Sequence, residues 1–181
     1  MRRSARAVAS RLLKENVEAL ERAGYRVASD SPDFDVHLEA PSRPSVRARM
    51  LGTGRVFGGS YAFELSTAEP VLPKTEGLAG RGKGLVRLER VEFRARRGDA
   101  AGARVAALVN RDDPLQRALD DVHFERIAIE PDGRVAIRQM GGSVVWVLFP
   151  PVVRGIPLVE DQARATVAAL EAFAALGTAR A

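Results

Sequence analysis

The stretch from Val122 to Pro150, VHFERIAIEPDGRVAIRQMGGSVVWVLFP, decides the fold. Ile127 and Ile129 precede Pro131-Asp132-Gly133, Val135 and Ile137 follow it, and each pair has the two-residue spacing of a strand with one buried face. Proline presets the first turn position, aspartate bonds its own backbone and glycine accepts a positive φ, so the chemistry here specifies a hairpin. Gly141-Gly142 reads as a second reversal. Val144 to Phe149 is apolar at both parities, as in a strand covered on both faces, and Pro150-Pro151 stop it. The expected centre is therefore a three-strand antiparallel meander.

The rest of the chain is consistent with one domain of 181 residues, long enough to bury about 70% of the surface its unfolded form exposes. Cys 0 excludes disulfides, thiolate nucleophiles and cysteine metal sites, and fits a reducing compartment. The hydrophobic fraction of 46% excludes wholesale disorder, and no apolar run reaches the ~20 residues of a bilayer span. MRRSARAVAS begins like a signal peptide, but Arg11, Lys14 and Glu15 break the apolar stretch, so it reads as a helix of a soluble, cytoplasmic protein. A net charge of +5, carried mostly by arginine, raises the question of nucleic acid. Such an excess becomes a footprint only when clustered, and alone it serves solubility.

Working outward, Val8, Leu12, Leu13, Val17 and Leu20 form one apolar stripe of a helix from Ser4 to Ala23, which Gly24 ends. Asp30-Ser31-Pro32-Asp33 is a turn, and Phe34, Val36 and Leu38 alternate with polar residues. Val46 to Leu51 and Arg55 to Ser66 read as a hairpin across Gly52-Thr53-Gly54, with Gly58-Gly59 a bulge or bend. Ala68 to Gly84, rich in proline and glycine, is expected to be a mobile loop. Leu85 to Arg96 is a strand. Asp99 to Asn110 fits either the return arm of a hairpin or a helix capped by Asp99, the helix being preferred for its alanines, and Asp113-Pro114 begins another helix. Val152 to Pro157 connects to a last helix from Val159 to Leu176, stopped by Gly177. Four helices and about seven hairpin-linked strands define an α+β class with a mainly antiparallel sheet.

Chemistry is sparser. Gly77, Gly82 and Lys83 match the spacing of a phosphate-binding loop, but Gly84 stands where the magnesium hydroxyl belongs and strand periodicity follows instead of a helix. A weaker anion site made of Arg81, Lys83 and backbone donors survives that test. Arg90, Arg94 and Arg96 share one parity of their strand and are the best nucleic-acid candidates, although Glu92 interrupts them and Phe93 has the opposite parity. The only histidines are His37 and His123. His123 lies among Asp120, Asp121 and Glu125, a set able to act in acid/base or metal chemistry, while its plain reading is a solvated helix end. There is no G-x-S-x-G elbow and no dinucleotide fingerprint.

GGSVVWVLFPPVVRGIPLVEDQ, from Gly141 to Gln162, resembles the end of a bacterial family of uncharacterised proteins. That family has a Gly-Ser turn, a Val-Val strand, a proline, an arginine bend and a Leu-x-x-x-Gln helix start, here Gly142, Ser143, Val144, Val145, Pro150, Arg154, Leu158 and Gln162. The family's pattern has an acidic residue after the serine and an aromatic one after the arginine, where this chain has Val144 and Gly155. The resemblance implies no activity, cofactor or metal. The expectation is a non-enzymatic domain that binds a small ligand or protein partner through the glycine-rich stretch and the sheet face beside it. Nucleic-acid binding through the arginines, or acid/base or metal chemistry at His123, are the alternatives.

Overall fold

The computed structural model describes residues 2–31, 34–55, 57–83, 90–149 and 151–179. Along the chain run α1 (Arg2–Arg22), β1 (Arg26–Ser31), β2 (Asp35–Glu39), β3 (Val46–Arg55), β4 (Gly58–Thr67), β5 (Leu78–Lys83), β6 (Arg90–Arg94), α2 (Ala100–Arg111), α3 (Asp113–Asp120), β7 (Phe124–Ile129), β8 (Val135–Gln139), β9 (Ser143–Val147), β10 (Val152–Ile156) and α4 (Glu160–Thr178). The α+β class and the antiparallel sheet are as expected, with ten strands in place of about seven. The sheet order is β1-β2-β3-β4-β8-β7-β5-β6, with β9 on β4 and β10 on β9.

β7 and β8 form the expected hairpin, Ile127 opposite Ile137 and Ile129 opposite Val135. The third strand of the meander is a correction: β9 pairs with β4 and β10, not with β8. β8 holds β4 at Glu64–Ser66 and β9 holds it at Gly58–Tyr61, so β8 and β9 are two lengths of one line along β4. Between them residues 139–143 face only Ala62 and Phe63, and the surplus chain bulges out. The bulge is satisfied from within: Ser143 Oγ accepts from the Phe63 N–H at 3.2 Å, and Asn16 Nδ2 on α1 donates to the Gly142 carbonyl at 3.0 Å. Gly142 has φ +70, and a Cβ there would lie 2.6 Å from Asn16 Nδ2. The glycine pair makes a bulge rather than a reversal.

The other departures have similar causes. β3 runs through Gly52-Thr53-Gly54 to Arg55, so its hairpin turns later, between Arg55 and Gly58. Gly58-Gly59 neither bulge nor bend: a Cβ on Gly59 would stand 2.3 Å from the Thr53 carbonyl and 2.8 Å from the Trp146 ring, so glycine here admits the indole. Within the stretch expected to be a loop, Leu78–Lys83 is a strand paired on both sides, and residues 68–77 are tied down. Val71 and Leu72 donate to the Gly133 carbonyl, Thr75 to that of Pro131, and Glu76 to the Asp99 carboxylate. The Gly84 end of that stretch, and Leu85–Leu88 with Glu89 of the strand expected from Leu85, lie outside the described residues; the observed strand is Arg90–Arg94. Asp99 caps α2 as expected, but Asp112, not Asp113, caps α3, accepting from Leu115 N at 2.8 Å. Val152–Ile156, read as a connection, is a strand, paired antiparallel with β9 from Val152 opposite Val147 to Ile156 opposite Ser143. Gly177 lies inside α4, close under the Val71 carbonyl, and the helix continues to Thr178.

All four helices pack on one face of the sheet, over Val36, Leu38, Phe63, Leu65, Ile127 and Ile137. Phe93 meets Phe173 of α4 edge-on at 6.0 Å. The exposed edge of β6 is capped by amides: Asn110 accepts from the Phe93 N–H and donates to its carbonyl, both at 2.8 Å, and Gln116 accepts from Val91 N. These side chains stand where another strand would otherwise pair. β10 has no such cover among the described residues.

Candidate functional site

The helix-free face of the sheet is a lattice of charges. One row crosses four strands, Asp35, Arg49, Glu64, Arg138 and then Arg126 on a fifth. Glu64 is buried and bridges two guanidinium groups, Oε1 to Arg49 at 2.8 Å and Oε2 to Arg138 at 3.6 Å. Asp35 takes a two-point contact from Arg47 on the next row, and Arg94 pairs with Glu92 at 3.0 Å. Nε of Arg49, Nε of Arg138 and Nε2 of His37 are buried on this face without a hydrogen-bond partner among the described residues.

The predicted anion contacts do not gather there as a group. Arg94 lies on the open face, Arg90 turns over the edge of β6 to the Asn110 carbonyl, and Arg96 lies beyond the strand. Arg81 is exposed on β5, and Lys83 ends that strand opposite Arg90. A phosphate loop is ruled out at Gly77–Lys83, because the β5 backbone is committed to ladders with β6 and β7. The basic row that does form runs across strands, through Arg49, Arg138 and Arg126, and no single segment of sequence displays it. Glu64 engages two of its three arginines, Arg49 and Arg138, and none of its described members is aromatic, so it lacks the stacking groups of a single-strand binder.

His37 and His123 are separated by β3, β4 and β8, about 19 Å at the usual strand spacing. Among the described residues no three His, Asp or Glu side chains assemble as a metal site. Around His123 a hollow of about 510 Å³ is lined by Asp120, Asp121, Asp161 and Gln162. Its order comes from Gln162, which accepts from the His123 N–H at 2.7 Å and donates to the Asp121 carbonyl at 3.0 Å, clamping the α3–β7 link to α4. Gln162, Gly142 and Ser143, three of the residues that carry the sequence resemblance, thus have structural work to do.

A concavity of about 980 Å³ was not anticipated. It lies between α1 and the edge formed by β1 and β2. Leu13, Val17, Val27, Phe34 and Val36 give it an apolar floor, and Arg3, Arg6, Arg11 and Lys14 stand along the helix wall. Arg6 lies over the Phe34 ring at 5.2 Å, and Phe34, a non-glycine residue, is held at φ 59. The first turn of α1 has no acidic residue, so Arg3 and Arg6 sit at the positive end of the helix dipole. Glu18 and Glu21 lie toward the far end of the helix wall and Asp30 stands on the β1 wall, so the cations outnumber the carboxylates chiefly along the first turns of α1. The 3–4-residue recurrence of Arg3, Arg6, Ser10, Lys14 and Val17 is visible in the sequence, but its partner wall on β1–β2 is not.

The fold and its surfaces define a helix-backed, single-sheet α+β domain with one charge-laddered face and one amphipathic groove. The chain belongs to the family described as "Protein of unknown function (DUF3156)", whose model matches residues 18–176. No curated protein and no solved structure matches it. The cationic wall of the groove precedes the matched span.

Proposed function

We propose that the protein is a binding domain whose ligand is an amphipathic anion seated in the groove between α1 and β1–β2. The observation that carries this reading is an apolar floor beneath four cationic side chains of a single helix. Arg3 and Lys14 have no ion-pair partner among the described residues, and Arg11 meets Glu15 only at 3.6 Å. From Arg3 to Val17 the helix rises about 21 Å, room for a fatty-acyl chain. The charge gradient orients the guest, its anionic head toward Arg3 and Arg6 and its tail over Val17 and Val36. A head group there also relieves the unfavourable placement of two cations at a helix N-terminus.

Laurate below its micellar concentration is the probe, titrated calorimetrically against the intact protein. Arg3→Glu with Arg6→Glu weakens laurate binding about tenfold or more, since charge-assisted contacts are worth about 1.5–3 kcal/mol each. Ser10→Trp, at an exposed position on the groove wall, blocks binding without touching the core. Dodecanol binds more weakly than laurate. If laurate does not bind, or binds all these variants as it does the wild type, the reading is wrong.

A further inference from the structure

The β3–β4 turn and the β9–β10 hairpin end side by side. Gly58 pairs with Val147, and the Leu148 N–H donates to the Phe57 carbonyl at 3.0 Å. This end raises Phe57, 74% exposed, and Phe149, 88% exposed, with Leu148, Val147 and Val152 open to solvent behind them. Val144 to Phe149 was expected to be covered on both faces. Val144 is buried in the core and Trp146 is buried with its ring against Gly59, while Val145 and Val147 are exposed. Single exposed apolar residues need no explanation, but a contiguous group crowned by two phenylalanines does.

We propose that this end of the molecule inserts into the interfacial layer of an anionic lipid bilayer. Charge complementarity selects that occupant. Leu51–Ala62 and Met140–Val159, which build the end, contain no Asp or Glu, and the first acidic residue of the chain is Glu15. Arg154 stands exposed opposite Val145, without an ion-pair partner among the described residues. Helix α1 is aimed the same way: Asn16 lies at Gly142, then Leu12 and Val8 flank Gly155, so the turn bearing Arg3 and Arg6 continues toward the hairpin tips. Apolar side chains surrounded by cations are what holds a protein at the surface of an anionic membrane. Area argues against a second copy as the occupant. At these exposures Phe57 and Phe149 offer about 300 Å² between them, well under the ~800 Å² per partner of a standard interface.

The test is co-sedimentation of the full chain with vesicles of phosphatidylcholine alone and of phosphatidylcholine with phosphatidylglycerol. Binding to the anionic vesicles only, weakened by salt, is expected. Phe57→Ser and Phe149→Ser each lower the partition about tenfold, while laurate binding in the α1 groove and the thermal midpoint stay as in the wild type. Laurate reads the groove and the phenylalanine variants read the hairpin tips, which share only the Arg3–Arg6 turn, so failure of one proposal is distinguishable from failure of the other. The inference is overturned if the wild type ignores anionic vesicles or if the variant carrying both Phe57→Ser and Phe149→Ser binds as well as the wild type. It is equally overturned if the phenylalanines instead support a concentration-dependent dimer in analytical ultracentrifugation.

Discussion

Replacing Glu64 with glutamine keeps the shape of the side chain and removes the charge that two arginines share. At 2.8 and 3.6 Å each contact is worth about 5 kcal/mol of gross attraction at an effective dielectric near 20, and desolvation of the three groups returns most of it. Breaking a buried pair typically costs about 3–5 kcal/mol. Arg49 and Arg138 keep 31% and 22% of their side-chain surface in water, which screens part of the loss, so about 2–3 kcal/mol is expected. For a chain of this length that lowers the thermal midpoint by about 5–10 °C. Urea unfolding followed by circular dichroism measures it, with an unchanged denaturant slope showing that the fold persists. A double-mutant cycle with Arg138→Met should show a coupling of about 1 kcal/mol or more. Releasing two cations should also lengthen retention of the variant on immobilised heparin. A stability within ~0.5 kcal/mol of wild type together with vanishing coupling would show that the lattice is not held by this carboxylate.

Gly59→Ala forces a methyl into the Thr53 carbonyl and the Trp146 ring, and a loss of about 2 kcal/mol with a shift in tryptophan emission is expected. Tyr25 donates to the Pro44 carbonyl at 3.1 Å, and burial, with Glu171 adding and Arg43 opposing, pushes its hydroxyl up to about 12. Its contribution is complete below the ordinary tyrosine range near 10 and is lost as pH rises through about 12, so Tyr25→Phe should flatten the alkaline limb of a stability–pH curve. The Asp99 carboxylate is held below its ordinary range, first by the Gly102 N–H and then by that of Glu76. The stability it lends is present above the unfolded value near 3.9 and disappears as pH falls through the folded one. Asp99→Asn should therefore be less stable than wild type at pH 7 and equal to it in acid, as read by urea midpoints.

Local pattern carried the elements well. The Pro131-Asp132-Gly133 hairpin, the alternation of Val36 and Leu38 and the stripe from Val8 to Leu20 all appear where periodicity put them, because each is decided by residues close in sequence. Partnership was less legible. Gly141-Gly142 has the chemistry of a turn and of a bulge alike, and only the presence of β4 beside it, supplying Phe63 and receiving Ser143, chooses between them. The glycines of β5 read as loop because what makes them a strand is β7 on one side and β6 on the other. The groove was hidden for the same reason, since one wall is α1 and the other is an edge that arrives after the chain has turned back.

That β4 is shared by two later strands also sets a schedule for biosynthesis. On the ribosome the N-terminal strands through Thr67 can assemble early, but β4 remains a raw edge until Val135 and the residues beyond it emerge, and α1 lacks its neighbour α4 until the last segment is made. Nascent chains stalled before Val135 should therefore be held by chaperones, and release should follow translation of the residues from Val135 onward.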